Sequence, residues 1–91
     1  MIVFIGKDKP DGLETRSANR DRHLAAMKEL NDRGMIHFAG PFVDDSGNMC
    51  GSLIIFDTDD IRAVEDIMAR DPYVLAGLFQ DSEISRVKKV L

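Results

Sequence analysis

The sequence predicts an α+β sandwich, in which helices cover one face of an antiparallel sheet. Four short runs of β-branched, aromatic or alternating residues indicate strands, and two intervening segments have the composition or spacing of helices. In chain order these segments read βαββαβ. The length of 91 residues, with 44% hydrophobic and 31% charged residues, indicates a single globular domain over residues 1–91.

Strand 1 is predicted at Met1 to Ile5, an apolar run without helical spacing, and a loop rich in Gly and Pro follows it. Helix 1 is predicted from Arg16 to Arg33, because good helix formers dominate this segment. Gly34 is suited to end the helix, since glycine readily adopts the left-handed conformation found at helix C-termini.

Met35 to Val43 and Met49 to Thr58 predict strands 2 and 3, joined as a hairpin by a turn of Asp, Ser, Gly and Asn. Pro41 has no amide proton, so its end of strand 2 is expected at an edge or a bulge. Pro72 to Gly77 predicts a short helical turn, and Ser82 to Leu91 predicts strand 4. The completed order is typical of a ferredoxin-like sandwich with both helices on one face.

Helix 2 lies between strand 3 and the short helical turn. Thr58 or Asp59 can accept the hydrogen bond that caps its first turn. A residue that precedes proline resists the α conformation, so this helix is expected to end near Arg70 or Asp71.

Apolar residues occupy both faces of the predicted hairpin. In strand 2, Ile36, Phe38 and Phe42 are expected to oppose Ala39 and Val43, and strand 3 alternates in the same way. Two helices cover only one face of the sheet, so a second subunit is expected to cover the other face and form a homodimer. The alternative is a second face lined by small residues and tolerated in a monomer.

Composition argues against several partners. The net charge is −4 and no basic block is present, so neither nucleic acid nor an anionic membrane is expected. Cys50 is the only cysteine, which excludes an intrachain disulfide and fits the cytoplasm, the expected location. His23 and His37 are fourteen residues apart without paired cysteines, and no Gly-rich phosphate loop occurs, so neither a metal nor a cofactor is expected.

Helix 1 carries a polar stripe that continues an apolar one. Arg16, Arg20, His23, Met27 and Leu30 follow at spacings of 4, 3, 4 and 3 and share one face. The stripe predicts a pocket in which arginine binds an anion and His23 moves protons. The alternative is structural, with arginine stems covering the edge of the core and His23 at its border.

Asp71 also has two interpretations. An aspartate directly before Pro72 is a strong helix start. Asp71 also extends the core-facing stripe of Val64 and Met68, which places its carboxylate near His23 and able to orient that ring.

Four further residues have open roles. Ser52 offers a hydroxyl in mid-strand, although Gly51 before it can simply mark a bulge or close backbone approach. Tyr73 can donate a hydrogen bond at the pocket mouth or pack as an ordinary aromatic. His37 can line the dimer face or the cleft, and Cys50 is expected to be a small buried hydrophobe.

The sequence resembles the YCII-related family of small dimeric α+β-barrel proteins. Its matching segments are LETRSANRDRHLAAM (13–27), AGPFVDD (39–45), GSLIIF (51–56), ARDPYVLAGLF (69–79) and the closing RVKKVL. One departure is Asp21-Arg22 before His23, where many members have Pro-Ala. The resemblance implies a ferredoxin-like fold, sheet-to-sheet packing of two subunits, and a cleft with His23 and Asp71 as the candidate dyad. The family includes a dehydrochlorinase of chlorinated hydroxyquinols, and the wider superfamily includes muconolactone isomerases and cofactor-free monooxygenases.

Three hypotheses follow. The first is a cofactor-independent lyase or isomerase acting on a small anionic or hydroxylated organic ligand, with His23 as general base and Asp71 as its orienting group. Its ligand contacts would be Arg16, Arg20, Ser52 and Tyr73. The second is a homodimer that binds or senses such a ligand without converting it, and the third is a purely structural module.

Overall fold

The computed structural model describes residues 1–91. Its elements are β1 (Ile2–Asp8), α1 (Leu13–Asp32), β2 (Ile36–Val43), β3 (Met49–Phe56), α2 (Ile61–Ala69), α3 (Pro72–Leu75) and β4 (Phe79–Arg86). The four strands form one antiparallel sheet in the order β2-β3-β1-β4. This topology confirms the predicted ferredoxin-like α+β sandwich.

The hydrophobic core lies between the sheet and the two long helices. The strands and helices contribute equally to the buried cluster, which consists of Ile2, Phe4, Ile54, Phe56, Met27, Leu30, Val64 and Met68. Alternate residues of β1 and β3 point into this layer, as the period of two in a strand requires. The same alternation continues towards the ends of the strands, where polar residues replace apolar ones.

Strand β1 is longer than the sequence predicted and reaches Asp8 instead of ending at Ile5. It is a central strand, and its pairing with β3 and β4 continues through Lys7. Gly6 belongs to the strand because it pairs with residues of both neighbouring strands, and a Cβ atom there would lie 2.7 Å from the ring of Phe79. Glycine at this position therefore permits close packing and does not end the strand.

The other element boundaries also differ from the prediction. Helix α1 begins at Leu13 and not at Arg16. The cap of α2 is Asp60, whose side chain accepts from the backbone N–H of Ala63 at 3.2 Å, and neither Thr58 nor Asp59 plays this part. Strand β4 occupies Phe79–Arg86 and not Ser82–Leu91, because its partner β1 begins at Ile2, opposite Arg86.

The face of the sheet opposite the helices is apolar. Val3 pairs with Ile55 and Ile5 pairs with Leu53, so these four side chains share this open face. A register shift in β2 leaves Ile36 opposite Phe56 but Phe38 opposite Ile55. The shift places Ile36 on the helix side and Phe38 on the open face, which corrects the prediction that they share one face.

The edge strand β2 exposes its aromatic residues. Phe38 is 49% exposed and Phe42 is 40% exposed in the single chain. None of the helices combines the length and apolar character needed to cross a membrane.

Candidate functional site

His23 and Asp71 are in contact at the edge of the core. His23 projects from α1, and Asp71 is the N-cap residue of α3. The His23 Nδ1 atom lies 2.8 Å from Asp71 Oδ1, and the two side chains are 10% and 1% exposed. Asp71 Oδ2 accepts from the backbone N–H of Tyr73 at 2.9 Å. One carboxylate therefore caps the helix and holds the histidine ring, so the two roles considered for Asp71 are compatible.

The contact assigns the tautomer of the His23 ring. An ionised carboxylate only accepts hydrogen bonds, so Nδ1 carries the proton that Asp71 receives. In a neutral ring the lone pair then resides on Nε2. Nε2 forms no hydrogen bond within the chain, whereas every buried side-chain N or O atom has a partner. Nε2 is therefore not buried, and it faces the cavity that His23 lines.

Tyr73 stacks on the histidine ring. The two ring centroids are 4.0 Å apart and the planes meet at 17°. The Cζ atom of Arg16 lies 4.7 Å from the centroid of Tyr73. Arg16 and His23 are two helical turns apart on α1, about 10.5 Å along the axis, which leaves room for one ring between them. Burial raises the pKa of the Tyr73 phenol, partly opposed by the charge of Arg16, so the phenol is neutral near pH 7.

Arg16 is held by a buried ion pair. Its Nε and Nη2 atoms donate to Asp8 Oδ2 and Oδ1, each at 2.8 Å, and Nη2 also donates to Ser52 Oγ at 3.0 Å. All three side chains are buried. Burial alone would lower the pKa of Arg16, but the hydrogen bonds and charge of Asp8 outweigh it and the net direction is upward. Asp8 therefore neutralises Arg16, which is a weak candidate for binding a further anion.

Arg20 is the uncompensated cation of the site. It is exposed, and it forms no ion pair or side-chain hydrogen bond within the chain. It lines the mouth of the same cavity as His23 and lies one helical turn from it. Of the two arginines considered from the sequence, Arg20 is the one whose charge is available to a ligand.

The cavity has a volume of about 140 Å³ and lies between α1 and strands β2 and β3. The polar side chains that line it are Arg16, Arg20, His23, Ser52 and Tyr73. Asp71, the sixth residue predicted for the site, contacts His23 but does not line the cavity. Apolar side chains and the edge strand supply the rest of the wall, chiefly Leu24, Met27, Ala39, Pro41, Met49 and Ile54. The site thus combines a histidine, several hydrogen-bond donors and an apolar surface.

The sequence interpretation missed Asp8. Ile2, Phe4, Gly6 and Asp8 alternate along β1 and share the helix-facing side, so the signal was present once the strand is extended past Gly6. Asn19 was also missed. It is buried on α1, where it donates to the Thr15 carbonyl at 2.9 Å and accepts from Arg22.

Two other candidates lie elsewhere. His37 is exposed and lies in a separate depression with Met1 and Asp57, so it does not line the cleft. Cys50 is half-buried and not fully buried, and it lines a larger cavity of about 460 Å³ that contains no histidine. No group of three or more His, Cys, Asp or Glu side chains is arranged to hold a metal ion.

The fold and the site define a small ferredoxin-like protein with a His–Asp contact at a helix-to-sheet cavity. Residues 1–88 match the model of the YCII-related domain, and the chain belongs to this family. It is 36% identical to an uncharacterized protein of Haemophilus influenzae, over 97% of this chain and 96% of that relative. It is 33% identical to protein YciI of Escherichia coli, over 99% of this chain and 98% of that relative.

A solved structure with the same fold carries a ligand. It is the 5-chloro-2-hydroxyhydroquinone dehydrochlorinase of Burkholderia phenoliruptrix, in complex with 2,5-dihydroxybenzoquinone. The TM-score is 0.84 and the sequence identity 31%, and the match covers 97% of this chain and 94% of that one.

Proposed function

We propose that this protein is a cofactor-independent lyase or isomerase that acts on a small hydroxylated or anionic ring compound. The observation that carries the proposal is the His23–Asp71 contact, which leaves Nε2 of a buried histidine facing the cavity. A histidine held in this way is suited to general base catalysis, which typically supplies about 10²- to 10⁴-fold in rate.

In the proposed reaction, His23 Nε2 accepts a proton from the substrate and Asp71 stabilises the imidazolium that forms. Arg20 offers its charge to the oxygen on which negative charge develops. For a chlorinated hydroxyquinol, the ring carbon that bears chlorine first gains a proton as one hydroxyl group loses its own and becomes a carbonyl group. His23 then removes the proton of a second hydroxyl group, and the electron pair left on that oxygen forms a second carbonyl group as the ring double bonds shift and chloride leaves with its bonding pair. Hydrogen chloride is lost overall, so no oxidant or reductant is required.

The similarity to the dehydrochlorinase supports the substrate class. Its bound 2,5-dihydroxybenzoquinone is a single hydroxylated ring. A protein cavity of about 150 Å³ holds a benzene-sized molecule, and the cavity here, at about 140 Å³, is similar. A ring with a few oxygen substituents matches it if those substituents lie against the polar side chains of the wall or point towards the mouth.

Replacing His23 with Gln tests the proposal. We expect turnover of 5-chloro-2-hydroxyhydroquinone to fall at least 100-fold in the folded protein, because glutamine has no base at the position of Nε2. Chloride release measures the reaction. His37→Gln is the matched control, since His37 is exposed and lies in another depression. Unchanged turnover in His23→Gln would show that His23 is not the general base. Saturable binding of the substrate to the wild-type protein without chloride release would favour the non-catalytic alternative.

We also propose that two chains pair through the open face of the sheet. This face carries an apolar set that the helices leave uncovered, made up of the exposed Phe38 and Phe42 and the half-buried Ile5, Leu53 and Ile55. Monomeric soluble proteins rarely expose a large contiguous apolar patch, whereas an isologous dimer interface is commonly apolar.

Phe38→Glu is expected to convert the dimer to a monomer, because it places a charge within the apolar face. Leu75→Glu, on the exposed surface of α3, is the matched control and should leave the dimer intact. Analytical ultracentrifugation measures the mass of each form. A wild-type protein that is already monomeric would contradict the proposal.

A further inference from the structure

The polar side chains around the cavity differ in what they offer a ligand. Arg16 and Arg20 have N–H donors and no acceptor. The neutral phenol of Tyr73 and the hydroxyl of Ser52 also carry donor hydrogens. Among the side chains, only His23 Nε2 offers a basic lone pair. The cavity therefore suits a ligand with several acceptor oxygens and one removable proton.

The hydroxyl of Ser52 is directed by Arg16, which is held in turn by Asp8 outside the cavity. Asp8 occupies two N–H groups of Arg16, and the remaining Nη2 hydrogen is directed at Ser52 Oγ. Because Ser52 Oγ already accepts this bond and forms no other side-chain hydrogen bond, its own hydrogen is free to point into the cavity. Asp8 thus sets the direction of the Ser52 hydroxyl through Arg16.

The backbone at Ser52 cannot easily move away. At the neighbouring Gly51, a Cβ atom would lie 2.5 Å from the carbonyl oxygen of Gly6, so the central strands pack closely at this point. Ser52 itself is only 3% exposed and pairs in register with both Gly6 and Pro41. A donor held on a rigid strand contributes more to selectivity than one on a mobile loop, because little ordering is required when the ligand binds.

We propose that Ser52 is a specificity-determining residue of this site, whose hydroxyl donates to an ionised oxygen of a monocyclic, polyoxygenated ligand such as a hydroxyquinone anion. Asp8 and Arg16 are its positioning residues, since they act through Ser52 and through the ring stacked on His23. The inference rests on the proposed function for the location of the ligand. Beyond that function, the inference states that the site selects the anion through the neutral hydroxyl donor of Ser52 as well as through the charge of Arg20.

Calorimetric titration of the full chain with 2,5-dihydroxybenzoquinone tests this inference. A hydrogen bond to a charged group is worth about 1.5–3 kcal/mol, so Ser52→Ala should weaken binding about 10- to 100-fold. Resorcinol is a ring of similar size whose hydroxyls remain protonated at pH 7, and its affinity should change by less than the anion's. Ser82→Ala is the matched control, a serine on the exposed strand β4 outside this cavity.

The outcomes separate this inference from the proposed function. If the quinone binds wild type and Ser52→Ala equally, or if both ligands weaken equally, the specificity role is overturned while the base role of His23 stands. If only the anion weakens but His23→Gln turns over normally, the specificity role stands and the proposed reaction fails. If wild type binds no quinone at millimolar concentration, both are overturned. Thermal unfolding of each variant verifies that it is folded.

Discussion

Replacing Asp71 with Asn is expected to leave the protein folded and to lower turnover about 10³- to 10⁴-fold. Asp71 uses one oxygen for His23 Nδ1 and the other for the backbone N–H of Tyr73. Asparagine has a single acceptor oxygen, and it is also a good N-cap residue. The asparagine oxygen is therefore expected to accept from the backbone N–H of Tyr73, and the amide NH₂ group then faces the His23 ring.

This change reverses the tautomer of the ring. Facing a donor, His23 Nδ1 must supply its lone pair, so the proton of the neutral ring moves to Nε2. The nitrogen at the cavity then has no lone pair with which to accept a proton. Nitrogen-15 NMR of the ring distinguishes the two tautomers directly, and chloride release gives the accompanying loss of turnover.

Asp60→Asn is the matched control for this variant. Asp60 caps α2 by the same kind of hydrogen bond, to Ala63, but it contacts no histidine. It should change neither the His23 tautomer nor turnover. If Asp71→Asn keeps the proton on Nδ1 and the wild-type rate, Asp71 serves only as a helix cap, and the proposed mechanism is wrong.

The second large effect is expected at Asp8. Asp8→Ala should reduce the free energy of unfolding by about 3 kcal/mol, because it leaves the Arg16 cation buried without its partner. This value is the lower end of the range for broken buried pairs, since Asp8 and Arg16 each border a cavity that water can enter. Urea-induced unfolding measures the change.

The exposed pair of Lys28 and Asp32 provides the comparison. Its side chains are 76% and 61% exposed, so Asp32→Ala should cost no more than about 0.5 kcal/mol. The double variant Asp8→Leu, Arg16→Met should recover much of the stability, because apolar residues replace both buried charges. If Asp8→Ala lowers the free energy of unfolding as little as Asp32→Ala does, the buried pair of Asp8 and Arg16 does not stabilise the site.

Much of the candidate site could be predicted from the spacing of residues near one another in the chain. The spacing of α1 predicted that Arg16, His23 and Met27 share a face, and all three are buried. Asp71 before Pro72 predicted a capped helical turn, which is α3. Arg20 lies on the same stripe but is exposed, although Arg16 before it and His23 after it are both buried. Periodicity predicted the stripe but not which of its members would be covered.

The sequence by itself determined the order of the elements, the core-facing stripe of α1 and the cap at Asp71, because these depend on residues a few positions apart. The tertiary structure alone decided where β1 and β4 end, on which side of β2 Phe38 points, and that Asp8 pairs with Arg16. Strand ends and bulges depend on the partner strand, which is distant in the chain. The two arginines differ for the same reason. Strand β1 brings Asp8 close to the start of α1, where its carboxylate neutralises Arg16 and leaves Arg20 free.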